Sequence, residues 1–313
     1  MSEQRDYVLF AGSSHPELTQ QVATCLNIPL GKALIEKFPD GEIGVRVLES
    51  VRGRDVFIVQ STANHPNFYL MELLIFIDAL KRASARSIVA VMPYFGYSRQ
   101  DRRGMSREPI TARLVADLLQ TAGATAVLTM DLHTEQIQGF FNIPVDNLYA
   151  LPLLVEALPS RVQEKRVVVA PDVGSIKLAR RYAQSLKVDL AIIDKRRVNA
   201  AKVDPGALIG DVKGKEVILV DDVCSTGKTL SNAALVCLHA GATRVRAIVT
   251  HGLFAGKGLL EGSEIEQVII SNTIPLSKEV DRKKLLVVSV APLLSRAIES
   301  MVGAKSISSF YAE

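Results

Sequence analysis

The residues best suited to chemistry lie in segment 216–229, which reads EVILVDDVCSTGKT. An apolar run ends in two carboxylates, Asp221 and Asp222, and a Ser-Thr-Gly-Lys-Thr turn follows at 225–229. Backbone N–H groups and hydroxyls at the start of a helix bind anions, and Gly227 lets a phosphate approach closely. Adjacent carboxylates can accept hydrogen bonds from ribose hydroxyls or complete the shell of a Mg²⁺ ion. The segment therefore predicts a site for a ribose phosphate.

Two other interpretations of this segment are weaker. The Gly-Lys-Thr triplet suggests a P-loop, but the pattern G-x-x-x-x-G-K-T requires glycine at the position of Asp222. The remaining alternative is an ordinary polar turn between a strand and a helix. That alternative does not explain two acidic residues at the end of a buried strand, where each is costly.

Polar side chains follow three other predicted strands. Arg99, Gln100 and Asp101 lie in VMPYFGYSRQDRR, His133 follows LTMDL, and Asp172 follows VVVAP. Because ligands gather beyond the carboxyl ends of parallel strands, these groups are candidates to converge there. A His and an Asp side by side can hold a divalent ion, although a lone His is more often structural. For the basic loop alone, a solvated surface is the competing interpretation.

Each of two further charged segments has a functional interpretation and a simpler structural one. Lys195, Arg196 and Arg197 follow a predicted strand in AIIDKRRVNAAKVD, where a cationic loop can close over a polyphosphate. The alternative for this run is solvated surface. FPDGE at 38–42 combines an aromatic side chain with two acids, and a plain hairpin turn is its simplest interpretation.

Short β-branched runs alternate with longer segments of helical period, which predicts an α/β fold with mainly parallel sheets. Runs such as VVVA and VILV are apolar throughout, as expected for strands covered on both faces. The predicted strands are 7–11, 56–60, 88–92, 126–130, 167–170, 190–193, 217–220, 245–250, 268–271 and 286–289.

An internal repeat predicts two domains. Residues 122–133 (AGATAVLTMDLH) and 240–251 (AGATRVRAIVTH) share the Ala-Gly-Ala-Thr block, a Val and the closing His. Thr111 and Thr229 align at the same offset. We expect two similar domains, 1–150 and 151–313, with the seam near residues 150–164. In each domain a helix should end at a glycine and a strand should follow.

Composition excludes several classes of protein. The 313 residues carry 37 basic and 33 acidic side chains, a net charge of +4 that is too small to indicate nucleic acid. Three cysteines without a C-x-x-C pair argue against a disulfide scaffold or a zinc finger. Glu72 and Asp78 interrupt the most apolar stretch, so we expect no membrane span, and the charged first residues lead us to expect no secretory leader. We expect a soluble cytoplasmic enzyme with neither nucleic-acid nor membrane partners.

Taken in order, FPDGE, RQD, DLH, PDxG, KRR and VDDxxSTG closely resemble the motifs of ribose-phosphate pyrophosphokinases, also called phosphoribosyl-diphosphate synthetases. The resemblance extends from Val8 to Phe310. It implies two phosphoribosyltransferase-like α/β domains and Mg²⁺-dependent transfer of the β,γ-diphosphoryl group of ATP to O1 of ribose 5-phosphate. AMP is released, and the product supplies nucleotide biosynthesis. It also implies a homo-oligomer, a hexamer built from dimers.

The resemblance also implies a role for each motif. The implied ATP-binding residues are Phe38, Asp40, Gly41 and Glu42, reaching in from a neighbouring subunit, with Arg99, Gln100 and Asp101. The implied Mg²⁺ ligands are His133 and Asp172, and the implied catalytic residues are Lys195 and Arg197. The implied ribose 5-phosphate residues are Arg197, Asp221, Asp222, Ser225, Thr226, Gly227, Lys228 and Thr229. A regulatory anion site is implied at Ser50, Arg52, Gln138, Asp146, Asn147, Ser306 and Ser308.

Three positions depart from the family pattern. Most bacterial and animal members have aspartate in place of Ser225 and a small residue in place of Lys228, and many have a second glycine in place of Ser175. These departures bear on the affinity for ribose 5-phosphate and on regulation.

Two rival functions remain open on the sequence alone. A phosphoribosyltransferase would share the 221–229 loop but would not need FPDGE, RQD or KRR. A non-catalytic synthetase-like subunit should have lost loop cations or metal ligands, whereas Lys195, Arg197, His133 and Asp172 are all present.

Overall fold

The computed structural model describes residues 7–159, 165–194, 197–199, 202–203, 207–255 and 262–307, with only the backbone described at 197–199 and 202–203. Contacts divide the chain into two compact units. The described residues of the first unit are 7–149, 273–275 and 289–307, and those of the second fall within 150–272 and 276–288. The division into 1–150 and 151–313 did not anticipate the two returns to the first unit, which follow from packing that sequence distance does not reveal.

The first unit is built on a sheet of five parallel strands in the order β1-β4-β5-β6-β7, counted over the described residues. Successive strand residues, which point to opposite faces of the sheet, are both buried, as Leu9 and Phe10 are, because helices cover the sheet. A separate antiparallel hairpin, β2–β3, contacts α2. The strands are β1 (Tyr7–Ala11), β2 (Ala33–Lys37), β3 (Ile43–Val47), β4 (Asp55–Val59), β5 (Ser87–Met92), β6 (Ala126–Met130) and β7 (Val145–Leu148). The helices are α1 (Pro16–Leu26), α2 (Pro66–Arg82) and α3 (Thr111–Ala122), with a 3₁₀ turn at Glu135–Phe140.

The second unit holds a seven-stranded sheet over its described residues, in the order β12-β9-β8-β13-β14-β15-β16. All neighbours pair parallel except β12, which is antiparallel to β9. The helices are α4 (Leu151–Glu156), α5 (Ile176–Leu186) and α6 (Lys228–His239), while α7 (Ala291–Val302) belongs to the first unit and contacts α1. The strands are β8 (Arg166–Ala170), β9 (Asp189–Asp194), β10 (Arg197–Asn199), β11 (Lys202–Val203), β12 (Ala207–Ile209), β13 (Glu216–Cys224), β14 (Arg244–Gly252), β15 (Gln267–Ser271) and β16 (Leu285–Val288).

The α/β fold with mainly parallel sheets is therefore confirmed. Each predicted strand overlaps an observed one, but β2, β3, β7 and the short strands β10 to β12 were not predicted. None of the described helices combines the length and the apolar character that crossing a membrane would require.

The repeated Ala-Gly-Ala-Thr block performs the same structural task in both units. Gly123 and Gly241 follow α3 and α6 with φ of 123° and 94°, in the left-handed region that glycine tolerates. Thr125 and Thr243 then each donate both the backbone N–H and the hydroxyl to one carbonyl, that of Ile88 and of Lys215 respectively. The block therefore ends a helix and fixes the start of the next strand, as the repeat predicts.

The strand β13 extends further than its sequence predicts. The apolar run predicts an end at residue 220, but the strand pairs with β14 as far as Cys224, opposite Gly252. Its other neighbour, β8, pairs only up to Leu219, and β15 pairs with β14 only up to Val249. The ends of β13 and β14 thus continue beyond the adjacent strands as a two-stranded ribbon. Asp221 and Asp222 lie in this ribbon and not after the strand.

A buried ion network lies at the opposite end of the same sheet. Glu216 is inaccessible to solvent, and its Oε2 lies 2.7 Å from Nε of Arg166 on β8. Its Oε1 bonds Nη1 of Arg246 on β14, and Nη2 of Arg246 lies 2.7 Å from Oε1 of Glu266. The network joins three adjacent strands near their first residues.

Glu216→Ala should strongly destabilise the second unit. Its removal leaves two largely buried guanidinium groups without their shared partner, which typically costs about 3–5 kcal/mol. The free energy of unfolding, measured by urea denaturation, reports this loss. Asp78→Ala is the control, since Asp78 pairs with Arg82 on the exposed face of α2 and its loss should change stability far less. Equal stability of the two variants would contradict a stabilising role for the network.

Candidate functional site

The ribbon of β13 and β14 carries the acidic part of the second unit's candidate site. Asp221 is partly buried, and its Oδ1 accepts a hydrogen bond from the backbone N–H of Asp222 at 3.0 Å. Burial raises the pKa of Asp221 well above its ordinary value, and the charges of Asp222 and Asp172 raise it further. Three carboxylates are therefore grouped, and the charges of Asp222 and Asp172 disfavour ionisation of Asp221, which is an arrangement that a cation or hydroxyl donors would relieve.

The turn after β13 is held by the backbone. The carbonyl of Cys224 accepts from Leu253 at 3.0 Å, and that of Ser225 accepts from Ala255 at 2.7 Å. Gly227 then starts α6 as its N-cap with φ of 70°, and no described side chain caps this helix end. The first N–H groups of α6 thus lack a side-chain acceptor within the described residues, which is the arrangement of an anion site. Thr226 and Lys228 are exposed beside it.

The thiol next to this turn is not a nucleophile. Burial raises the pKa of Cys224 to about 12, the charge of Asp221 raises it as well, and the N–H of Gly227 partly offsets the two. The group is therefore a neutral thiol near neutral pH.

Asp172 holds the turn that follows β8. Its Oδ1 accepts from the backbone N–H groups of Gly174 at 3.0 Å and Ser175 at 3.2 Å. Ser175 is buried and its hydroxyl returns a bond to the carbonyl of Asp172 at 2.9 Å. The serine in place of a second glycine is thus accommodated by a hydrogen bond.

The loop after β5 carries the basic candidate site of the first unit. Arg99 and Gln100 are exposed at its start, and Tyr97 before them has φ of 66°, which is rare for a bulky residue. The phenol of Tyr97 donates to Oδ1 of Asn67 at the start of α2. The amide oxygen of Gln100 accepts from Thr111 at 2.6 Å, where α3 begins. The Arg-Gln pair is therefore presented by a loop that is fixed at several points.

Asp101 is oriented differently from its two neighbours. Its side chain is buried, and Oδ2 accepts from the hydroxyl of Thr134 at 2.9 Å and from Nε2 of Gln136 at 3.3 Å. Both donors follow β6, directly after the exposed His133. The structure thus brings the RQD and DLH segments together. Sequence reasoning missed Thr134 and Gln136, although their position after DLH was a usable signal.

The FPDGE segment is the turn of the β2–β3 hairpin. Phe38 N–H donates to the carbonyl of Glu42 at 2.8 Å, and Oδ1 of Asp40 accepts from the N–H of Glu42 at 3.1 Å. Gly41 has φ of 96° at the tip. The Phe38 side chain is 46% exposed. The hairpin interpretation is confirmed, and it presents an aromatic ring and two acids to solvent.

The residues implied in regulation are spread over several segments of the first unit. Ser50, Arg52 and Ser306 are exposed, and Gln138 donates to the carbonyl of Glu135. Asn147 is buried and its Oδ1 accepts from Leu132 N–H at 3.1 Å, so it also supports the DLH segment.

Asp146 opens onto a cleft of about 400 Å³, and burial raises its pKa. The cleft also contacts the C-terminal end of α7 and the residues after it. Its lining residues are Ala126, Pro144, Asp146, Ser300, Met301, Ala304, Lys305 and Ile307.

Several predicted residues cannot be placed by side chain. Lys195 and Ser308 lie outside the described residues, and for Arg197 the structure describes only the backbone, at the start of β10. His133 belongs to the first unit and Asp172 to the second. Among the residues with described side chains, no three His, Cys, Asp or Glu residues form a ready-made metal site.

Comparison with known proteins places these motifs in a family. Residues 7–123 match the profile described as the N-terminal domain of ribose phosphate pyrophosphokinase, and residues 195–312 match the phosphoribosyl synthetase-associated domain. A ribose-phosphate pyrophosphokinase of Wolinella succinogenes is 50% identical over 309 residues, covering 98% of this chain and 99% of the relative. One from Clostridium perfringens is 49% identical over 310 residues, 97% of each chain. The crystal structure of phosphoribosylpyrophosphate synthetase from Mycobacterium smegmatis superposes with a TM-score of 0.91 at 43% identity, covering 95% of this chain and 99% of the other.

Asp221→Asn should stabilise the unliganded protein in a pH-dependent way. Burial and the charges of Asp222 and Asp172 make ionisation of Asp221 unfavourable in the folded protein, and asparagine removes that cost. The gain should be absent below the ordinary pKa of 3.8, where the group is protonated in both the folded and unfolded states. It should grow as pH rises towards the elevated pKa of the folded state.

Thermal unfolding between pH 4 and 8 measures this effect. Tm should rise by roughly 2–4 °C for each kcal/mol gained in the free energy of unfolding. Asp211→Asn is the control, because the backbone N–H of Lys213 and then the ammonium of Lys215 lower the pKa of Asp211, so that its replacement should bring no gain. A Tm difference for Asp221→Asn that stays constant across this range would refute the electrostatic explanation.

Proposed function

The chain belongs to the ribose-phosphate pyrophosphokinase family, and on this premise we propose how its residues carry out the family reaction. As a member, it is an enzyme that makes 5-phosphoribosyl 1-diphosphate for nucleotide biosynthesis. The substrates are ATP and ribose 5-phosphate, and AMP is the second product. The observation that carries the proposal is 50% identity over 98% of the chain to a relative of that name, with every motif of the resemblance present.

Ribose 5-phosphate binds at the turn between β13 and α6. The phosphate dianion accepts from the uncapped N–H groups of α6 and from the hydroxyls of Ser225 and Thr229. The ribose hydroxyls lie towards Asp221 and Asp222 and donate to their carboxylates. Two features support this arrangement. α6 starts without a described side-chain cap, and the pKa of Asp221 is raised, an effect that hydrogen bonds from the ribose hydroxyls to its carboxylate would oppose.

ATP binds at the loop after β5. Arg99 supplies a guanidinium for phosphate oxygens, and Gln100 offers its amide N–H₂ because Thr111 already donates to its oxygen. Both residues extend from a loop that is anchored at several points, so little backbone entropy is lost on binding.

Mg²⁺ fits the donor set of the second unit. Carboxylate oxygens suit this hard cation, and Asp172 and Asp222 lie near enough to Asp221 to raise its pKa. Mg²⁺ is commonly held by one or two carboxylates together with substrate phosphates, which agrees with the incomplete protein cage. When bound, it neutralises charge on the phosphates. His133 is the further proposed ligand.

The reaction requires positioning and charge stabilisation. O1 of the sugar attacks the β-phosphorus and its hydroxyl proton passes to solvent. The bond from that phosphorus to the α,β-bridging oxygen breaks, and AMP leaves with the electron pair of that bond. In-line geometry comes from two substrates anchored separately. Lys195 and Arg197 stabilise the charge that builds on the leaving oxygen and the transferred group. No covalent enzyme intermediate is required.

We also propose a homo-oligomer, up to a hexamer built from dimers, in which the β2–β3 hairpin completes a neighbour's ATP site. The support is the exposed Phe38 ring beside Asp40 and Glu42. Further apolar side chains are exposed along one face of α3 and the loop before it. These are Met105, Ile110, Leu114 and Leu118.

The central test is an assay of the purified protein with ATP, Mg²⁺ and ribose 5-phosphate. We expect AMP release that depends on the sugar and forms a diphosphate sugar in equal amount. AMP release without the sugar, or consumption of the diphosphate sugar by a free nucleobase, would refute the proposed reaction and favour a hydrolase or a phosphoribosyltransferase.

Lys195→Ala should lower kcat far more than it raises KM, because the cation acts chiefly in the transition state. The expected loss is on the order of 10³-fold, by analogy with other cationic residues in phosphoryl transfer. Lys278→Ala, at an exposed site of the second unit, is the charge-matched control and should keep the wild-type kcat. Comparable kcat values for both variants would remove Lys195 from the mechanism.

The departures at Ser225 and Lys228 should tighten binding of the phosphate. Relative to Asp and Gly, the turn carries one fewer negative charge and one more positive charge, a net difference of two units. The exposure of Lys228 reduces the benefit to roughly 1 kcal/mol, which is several-fold in affinity. The Ser225→Asp, Lys228→Gly double variant should raise KM for ribose 5-phosphate and leave KM for ATP nearly constant. An unchanged KM for the sugar at low salt would show that Lys228 faces away.

A further inference from the structure

The side chain of Asp101 lies in a different environment from the side chains of the two residues that precede it. Arg99 and Gln100 are exposed, whereas Asp101 is 7% exposed and its Oδ2 is occupied by the hydroxyl of Thr134. Gln136 adds a longer bond to the same oxygen at 3.3 Å. Both donors are neutral, so the carboxylate is desolvated without a basic partner in either bond. Such a group is costly to bury and needs a compensating role.

The two bonded segments leave neighbouring strands. β5 and β6 pair in parallel, with Met92 opposite Thr129, so the loops after them start side by side. The hydrogen bonds from Thr134 and Gln136 to Asp101 join these loops beyond the sheet, where backbone hydrogen bonds between β5 and β6 have ended. One loop presents Arg99 and Gln100, and the other presents His133.

Further contacts anchor each loop to another part of the first unit. On the β5 side, Gln100 is tied to the start of α3 through Thr111. On the β6 side, Asn147 of β7 accepts from the N–H of Leu132 at 3.1 Å. The bond from Thr134 to Asp101 therefore links two loops that are each anchored elsewhere.

We propose that Asp101 is a positioning residue that does not itself bind ATP: its carboxylate, held by Thr134 and Gln136, fixes the Arg99–Gln100 segment relative to the His133 segment. This inference rests on the proposed function, because it assigns those two segments to ATP and to its metal ion. Its mechanical basis is that Asp101 lies one residue from Gln100 and two from Arg99, so a shift of its backbone moves both side chains.

Thr134→Val tests the link with little change in volume, because it removes the hydroxyl and keeps the branched shape. We expect KM for ATP and the Mg²⁺ concentration for half-maximal activity to rise about tenfold, as losses of groups that orient metal ligands commonly do. KM for ribose 5-phosphate and Tm should remain near the wild-type values. Thr134→Ser keeps the hydroxyl and should restore most of the ATP affinity. Gln136→Ala removes the longer bond and should have a smaller effect in the same direction.

Thr121→Val is the matched control, since Thr121 is exposed on α3 and its hydroxyl bonds within that helix, to the carbonyl of Asp117 at 2.8 Å. If Thr134→Val raises both KM values equally while lowering Tm, the bond is merely structural and the proposal is wrong. Wild-type ATP kinetics in Thr134→Val would also overturn it. If Thr134→Val folds poorly, Gln136→Ala decides by the same two criteria.

Equilibrium binding of a non-hydrolysable ATP analogue with Mg²⁺ separates this inference from the proposed reaction. A wild-type protein that binds the analogue but forms no AMP would refute the reaction. Weaker binding by Thr134→Val than by Thr134→Ser would still support the positioning role. Equal binding by the two variants would refute that role even in a fully active enzyme.

Discussion

Parallel strand pairing is the constraint on which the rest of this structure depends. Every motif that carries chemistry, apart from the β2–β3 hairpin, lies at or beyond the carboxyl end of a parallel strand. Adjacent pairing of β5 with β6 sets the RQD and DLH segments side by side, and adjacent pairing of β8 with β13 does the same for Asp172 and Asp221. The ion network around Glu216 stabilises the amino ends of the second sheet, away from these segments.

Carboxylates in this protein illustrate how environment assigns different roles to one residue type. Asp221, Asp222 and Asp172 are grouped so that burial and repulsion from the other two carboxylates raise the pKa of Asp221. A bound cation or hydroxyl donors would stabilise its ionised form. Asp101 is buried too, but its Oδ2 accepts hydrogen bonds from two neutral side chains of the neighbouring loop. The first group is suited to binding ligands, and Asp101 is suited to holding loops. The electrostatic cost in the unliganded site thus falls on groups that we propose contact substrate and metal.

The two units share a scaffold and differ in the loops that the scaffold carries. Each has a helix that ends at glycine and a threonine that fixes the next strand. In the second unit only residues 225–227 separate β13 from α6, whereas residues 93–110 separate β5 from α3 in the first. The closing histidines also diverge: His133 lies exposed beyond β6, while His251 is buried because β14 continues past it. Duplicated secondary structure therefore supports two different candidate sites.

Much of this protein was determined by its sequence alone. Apolar runs and their period predicted the α/β class and most strands of both parallel sheets, because burial on both faces leaves a local signature. The glycine ends of α3 and α6 and the helix start at Gly227 were likewise predictable, since backbone conformation there depends on local residue type. The hairpin of FPDGE was also correctly interpreted as a turn. These features need no information from distant parts of the chain.

Only the tertiary structure decided the features that depend on distant neighbours. The extension of β13 through Asp221 and Asp222 follows from its pairing with β14, and no local pattern marks it. Asp101 was grouped with Arg99 and Gln100 by sequence, yet its partners come from residues 33 and 35 positions further along the chain. The return of α7 to the first unit is likewise a matter of packing against α1. Sequence spacing identifies which residues can do chemistry, but long-range hydrogen bonds and strand register decide which side chains face a ligand and which hold the site together.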